Sequence, residues 1–395
     1  LITVGGGLAG AALGRAMAGA GARVLVLERE QVFRDRVRGE LVHPWGVAEA
    51  RLLGLYDLLK QTCAYEVRLR STRLAGTPLV QRDLVETTPH RAGSLHFAHP
   101  DMQQVLLDDC ARAGATVQRG VRVADVVPGP NPMVYTYTSQ GERAYHARLI
   151  VGADGRASLC RKWAALPAQR DPDRMVIAGV LFAGLSAPED AIHIFINPAH
   201  NEVAFLLPLG KKRFRCYSAF YQQPGRRRLS GPEAVPHFID ACVSAGAERE
   251  WFEDAQVAGP LASFDGAETW VPHPYRSGVA LVGDAAATSD PTFGCGLSLT
   301  MRDVRTLSHL LSREPDWDAA AHAYAEEHDR YFEKLHRVLD WLVLLYYKPG
   351  ADAETLRQRA LSRVDEDPSR MPDIPGLGPE APSDEAAFHN LFGEA

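Results

Sequence analysis

The sequence predicts an α/β chain: a Rossmann-type nucleotide domain, an inserted strand-rich substrate domain and a C-terminal helical region. Three observations carry this. Leu1-Ile-Thr-Val4, the alanine-rich Leu8 to Ala20 and Val24-Leu-Val-Leu27 read as strand, helix, strand, a βαβ opening. The middle of the chain is rich in alternating or continuous β-prone stretches. From Leu281 a buried-type strand, a glycine loop and a long helix return, so the C-terminal part is expected to rejoin the first domain. With 395 residues, and roughly 150 per domain, two or three domains are expected.

Taken in order, helices are predicted at roughly 45–60 and 101–113, and strands at 115–127, 133–138, 145–151, 176–184, 191–196, 203–208 and 213–220. Residues 1–70, 95–165 and 275–315 are assigned to the nucleotide domain, and 71–94 with 166–274 to the substrate domain. The C-terminal region covers 316–395, mostly helical over about 317–347. Pro372, Pro375, Pro379 and Pro382, with scattered acids, predict an irregular tail over the last 45 residues.

Composition narrows the function classes. Hydrophobic residues make up 46% and charged residues 23%, enough apolar surface for a sizeable core. The formal charge of −6 does not favour nucleic acid or anionic lipid as the main partner, which points to a small molecule. Cys63, Cys110, Cys160, Cys216, Cys242 and Cys295 are far apart with no C-x-x-C pair, so neither a zinc site nor a disulfide framework is suggested and a reducing cytoplasm fits. The apolar run Trp341 to Tyr347 has seven residues, against the ~20 of a membrane-spanning helix. Residues 1–5 already read as a strand, so no signal peptide is expected before the fold, although a short leader could have been trimmed.

Gly5-Gly-Gly7-Leu8-Ala9-Gly10 fits G-x-G-x-x-G between a strand and a helix, and Glu28 ends the second strand 18 residues beyond Gly10. Gly5 allows the tight turn, Gly7 lets the backbone approach a pyrophosphate, and Gly10 permits close helix packing. Glu28 is placed to hold ribose hydroxyls, with Arg29 beside it. Strand, helix and acid in register predict a dinucleotide without saying which one.

Val151-Gly-Ala-Asp154-Gly155-Arg156-Ala-Ser158-Leu-Cys-Arg161 resembles the DG signature of single-component (group A) FAD-dependent monooxygenases, the para-hydroxybenzoate hydroxylase-like family. Leu281-Val-Gly283-Asp284-Ala-Ala286, then Pro291, Gly294-Cys-Gly296 and Asp303, resembles that family's GD signature. The resemblance implies FAD in the first fold. Asp284 would bind the ribityl hydroxyls, and the helix from Leu297 would turn its N-terminal amides to the flavin pyrimidine edge, where reduction places negative charge. Asp154 would serve both FAD and the transient approach of NAD(P)H. The family's usual His and Asn are Ala287 and Ser298 here. No second G-x-G-x-x-G follows a strand, so NAD(P)H is expected as a passing co-substrate.

Gly39-Glu-Leu-Val-His-Pro44-Trp-Gly46 resembles the G-E-L-x-x-P-x-G segment of squalene epoxidase, and Leu53-Gly-Leu55 aligns Arg38 with a family arginine near the flavin. Arg38 also reads as a solvated charge. His99 falls where relatives carry a residue facing the FAD phosphates, or is a helix-start surface histidine. His43, His193 and Tyr217 are cavity candidates for acid–base work, and each also reads as a packed residue. Lys211, Lys212, Arg213, Arg215 and Arg226 to Arg228 look like a solvated hairpin face, or else a funnel for an anionic substrate or cofactor. The resemblance implies a monooxygenase that uses oxygen through a flavin C4a-hydroperoxide to hydroxylate or epoxidise a small apolar arene or alkene; a monomer or homodimer is expected. A flavin-dependent prenyl-chain reductase or halogenase stays open, the latter without its W-x-W-x-I-P signature, as does a non-catalytic flavoprotein.

Overall fold

Ile2–Val4 lies inside a six-stranded sheet ordered Tyr275–Arg276, Val279–Leu281, Ile150–Gly152, Ile2–Val4, Leu25–Glu28, Thr116–Arg119. All pairings are parallel except the first, at the edge. These strands are short apolar runs because both faces of a parallel sheet are covered. Helices Leu8–Gly19, His99–Arg112 and Gly296–Arg313 cover one face through Leu13, Met17, Leu106, Val304 and Leu307. Val126 and Val134 of an antiparallel sheet, Arg122–Val127, Met133–Thr138 and Gly141–His146, cover the other. This computed structural model describes residues 1–37, 39–75, 77, 79–138, 141–172, 174–223 and 225–393.

An eight-stranded sheet forms the second layer. Its order is Gln256–Val257, Met175–Ala183, Arg213–Tyr221, Glu202–Pro208, Ala191–Asn197, Leu69–Leu74, Val80–Asp83, with Ala262–Asp265 also on Met175–Ala183. Successive side chains alternate between its two faces. Val180, Phe182, Phe195, Leu206 and Phe214 pack under helix Val235–Ala245 through Phe238 and Cys242. Ile177, Ile192, Ile194, Ile196, Phe205 and Leu207 form the opposite face.

Helix Trp317–Tyr346 is capped by Asp316, whose carboxylate accepts from the amides of Asp318 at 3.0 Å and Ala319 at 3.3 Å. The expected irregular tail is corrected. Ala351–Glu366, Ile374–Leu377 and Glu385–Phe392 are helices. Proline needs no partner for a backbone N–H in the first turn of a helix, so Pro375 begins a turn instead of breaking one. Among the described residues no helix is long and apolar enough to cross a membrane.

Candidate active site

The fingerprint loop leaves Ile2–Val4 and enters Leu8–Gly19, and its geometry requires glycine at two points. Gly5 has φ +104°, and a Cβ on Gly10 would overlap the Gly5 carbonyl oxygen. Gly7 caps the helix with no side chain, so the first helical amides face outward from bare backbone. Glu28 ties the loop to the second strand: one carboxylate oxygen accepts from Gly6 N and the other from Glu30 N, both at 2.7 Å.

A second turn lies beside the first. Gly283–Ala285 is a single 3₁₀ turn after Val279–Leu281, with Gly283 at φ +61°. Its Gly283 N–H donates to buried Asp303 at 2.7 Å, and Tyr331 OH donates to the same carboxylate at 2.5 Å. Burial raises the Asp303 pKa. Pro291–Phe293 forms the next turn, capped by Asp290, and Gly294 at φ +69° leads to Gly296–Arg313, a helix with no side-chain cap at its start.

A cavity of about 1810 Å³ joins these turns. It exceeds the ~300–1,000 Å³ of an ordinary small-molecule site, leaving room for a dinucleotide and a second molecule. Gly5, Gly7, Leu8, Ala9, Glu28 and Arg29 line one end, with His99, whose Nδ1 lies 2.9 Å from Gly39 O. Asp154, Asp284, Pro291, Gly294, Gly296 and Leu297 line the middle. Ile177, Ile192, Ile194, Ile196, Phe205 and Leu207 form an aliphatic wall, and Leu342, Tyr346, Tyr347, Leu361 and Ile374 close the cavity from the C-terminal region.

Several expected residues sit differently. Gly10 and Gly283 are one layer behind the lining, where they permit the turns. The Asp154 carboxylate accepts from Ser158 OH at 2.6 Å and from the amides of Leu159 at 2.7 Å and Cys160 at 3.1 Å, so it holds the helix Leu159–Trp163 while bordering the cavity. Arg38 lies outside the described residues.

The three acid–base candidates separate. His193 is on the wrong face: its Nε2 bonds Pro188 O at 2.8 Å and its ring lies 5.1 Å from Trp251, beside a separate small hollow. His43 lines the cavity, and burial pulls its pKa down to about 4, so it is neutral at pH 7. Its Nε2–H donates to Phe293 O at 2.7 Å and its backbone N–H to Ser298 Oγ at 3.0 Å, which fixes the turn before Gly294. Tyr217 also lines the cavity, and its OH donates to Glu40 at 2.5 Å. Glu40 is buried, and the loss of water outweighs its cationic neighbour, raising its pKa to about 7.

That neighbour is Arg215, which does not belong to a solvated hairpin face. It is buried, donating from Nε to Glu40 at 3.0 Å and from Nη2 to Asp35 at 2.6 Å. The wall residues contributed by 342–374 were missed by sequence reasoning, as was Glu40 as a titrating group. The Gly39-Glu-Leu segment was the available signal for Glu40.

Residues 1–340 match the family described as FAD binding domain. The chain is 26% identical over 313 residues to 6-methylpretetramide 4-monooxygenase of Streptomyces rimosus, spanning 76% of this chain and 72% of that one. It is 24% identical over 332 residues to squalene epoxidase 3 of Arabidopsis thaliana, spanning 79% of this chain and 60% of that one. The solved p-nitrophenol 4-monooxygenase PnpA from Pseudomonas putida DLL-E4 matches with TM-score 0.79 and 17% identity, over 100% of this chain and 98% of that one. At that identity the likeness is one of fold.

Proposed function

The chain belongs to the FAD binding domain family, and from that membership we propose that it is an NAD(P)H-using monooxygenase acting on an apolar arene or alkene. The continuity of one cavity from the glycine fingerprint to the aliphatic wall carries the reading. FAD, reduced by NAD(P)H and reoxidised by oxygen, supplies the oxygen-transfer chemistry when bound. The bare amides at the start of Leu8–Gly19 receive the pyrophosphate. Glu28 accepts from ribose hydroxyls while its two existing bonds keep it in place. Asp284 accepts from the ribityl chain, and the uncapped start of Gly296–Arg313 offers donors where reduction adds negative charge. The aliphatic wall and the C-terminal residues keep water from the reacting end.

Asp284→Ala is expected to weaken FAD binding about 10- to 100-fold without unfolding the chain, because a hydrogen bond to a charged group is worth about 1.5–3 kcal/mol. Flavin-fluorescence titration of the apoprotein measures it, with circular dichroism as the fold control. Wild-type affinity in a folded variant removes Asp284 from the cofactor site.

Turnover with NAD(P)H under ¹⁸O₂ is expected to place one labelled atom in the product and the other in water. Mass spectrometry of product made in labelled oxygen and, separately, in labelled water reads this directly. Product oxygen from water alone removes the monooxygenase reading, and turnover that continues without oxygen replaces it by a reductase acting on the same apolar substrate.

A further inference from the structure

Leu69–Leu74 pairs in parallel with Ala191–Asn197, and the register sets Arg70 beside Ile192, Thr72 beside Ile194 and Leu74 beside Ile196. Alternation then sorts the strand. Arg70, Thr72 and Leu74 face the large cavity, while Ser71 and Arg73 face the small hollow on the other side. Arg70 therefore places a guanidinium on a wall built mainly of isoleucine, phenylalanine and leucine.

Two other arginines bordering this cavity, Arg82 and Arg228, are paired. Both carboxylate oxygens of Asp373 accept from Arg82, at 2.7 and 2.9 Å, and Arg228 pairs with Asp265. Among the described residues the Arg70 guanidinium makes no hydrogen bond or ion pair, its backbone being paired in the sheet. The groups facing it are Tyr346, Tyr347, Arg82 and Asp373, and burial pulls its pKa below the usual arginine range. Its charge acts on His43 and Cys295, in the direction that lowers the pKa of each. A guanidinium stays charged at neutral pH, and one that opens half-buried onto a cavity with no carboxylate of its own is placed to meet an anionic ligand.

We propose that Arg70 anchors an oxyanion borne by an otherwise apolar substrate, and so selects amphiphilic acids over neutral hydrocarbons. This rests on the aliphatic cavity being the substrate site proposed above. The planar fork matches the two oxygens of a carboxylate and also those of a phosphate ester. Anchored there, the anion fixes one end of the substrate at Arg70, and the hydrocarbon lies along the neighbouring Ile192, Ile194 and Phe205.

The test titrates oxidised, FAD-loaded protein at pH 7 with naphthalene-2-carboxylate, 2-naphthyl phosphate and naphthalene-2-carboxamide, reading the flavin absorbance change. One anion is expected to bind at least about tenfold more tightly than the amide. The anion with the larger gain identifies the source of the oxyanion. The gap should close in Arg70→Gln and partly persist in Arg70→Lys, with FAD stoichiometry as the fold control for both. Equal binding of all three probes to wild-type protein, no binding of any, or an undiminished gap in Arg70→Gln overturns the proposal. The titration contains neither NAD(P)H nor turnover, so failure of the oxygen-labelling experiment leaves its outcome intact, and the reverse holds too.

Discussion

Gly10→Ala is expected to yield a folded chain that is purified without FAD. The added methyl would overlap the Gly5 carbonyl oxygen and lie 3.3 Å from the Ala153 side chain, and Gly5 is fixed by the hydrogen bond its N–H donates to Leu27 O at 2.8 Å. The obstacle is backbone, which cannot rotate away as a side chain does. Helix Leu8–Gly19 must move off the loop, at a cost of about 1–3 kcal/mol for overpacking. The amides that would receive the pyrophosphate move with it. Loss of FAD affinity of about a hundredfold or more, about 3 kcal/mol, is the expected size. Gly19→Ala supplies the control. It lies in the same helix with nothing within 4 Å of the new methyl, so it should retain FAD and gain slightly in stability. Fluorescence titration of both apoproteins checks the contrast. A Gly10→Ala protein with wild-type affinity would show that the fingerprint turn does not carry the cofactor.

The same turn explains why the nucleotide half was legible in sequence. Its signal is local: a glycine at positive φ, a helix start and an acid at the next strand end lie within one βαβ unit. The central strands of the substrate sheet were also legible, as the predicted 191–196 against the observed Ala191–Asn197 illustrates. Their facing was not. In Ile192-His-Ile-Phe-Ile196 apolar residues occur on both parities because one face meets Val235–Ala245 and the other the cavity, so alternation could not say that His193 points away. Leu69-Arg-Ser-Thr-Arg-Leu74 escaped notice as a strand because its cavity face includes an arginine and a threonine. The tail was misread because proline was treated as a breaker where it starts a turn. Arg215 was misread because a run of basic residues does not reveal which member meets a carboxylate 175 positions away.

Arg215→Met is expected to be the most destabilising of these changes, and its cost should depend on pH. Arg215 is the cation between Glu40 and Asp35, and it joins Arg213–Tyr221 of the substrate sheet to the segment leading into Gly39. Removing one partner from a buried ion pair costs about 3–5 kcal/mol, because the remaining charge is left without water or counter-ion. Glu40 can escape by taking up a proton. Its folded pKa, already raised to about 7 by burial, rises further once the guanidinium is gone. A carboxyl whose folded pKa lies above its unfolded value gives stability that is full below the unfolded pKa, about 4.3, and is lost as pH rises through the folded pKa. The wild-type chain therefore loses its Glu40 contribution between about pH 4.3 and 7, and the variant goes on losing it above that. The difference in melting temperature should be small at pH 5.5 and widen at pH 8. Adding Glu40→Gln to Arg215→Met removes the stranded charge while leaving an amide for Tyr217 OH, so the double variant should recover most of the loss at pH 8. Melting followed by flavin fluorescence at the two pH values tests this, and a deficit that is equal at both, or unrelieved by Glu40→Gln, would assign Arg215 a packing role in place of an electrostatic one.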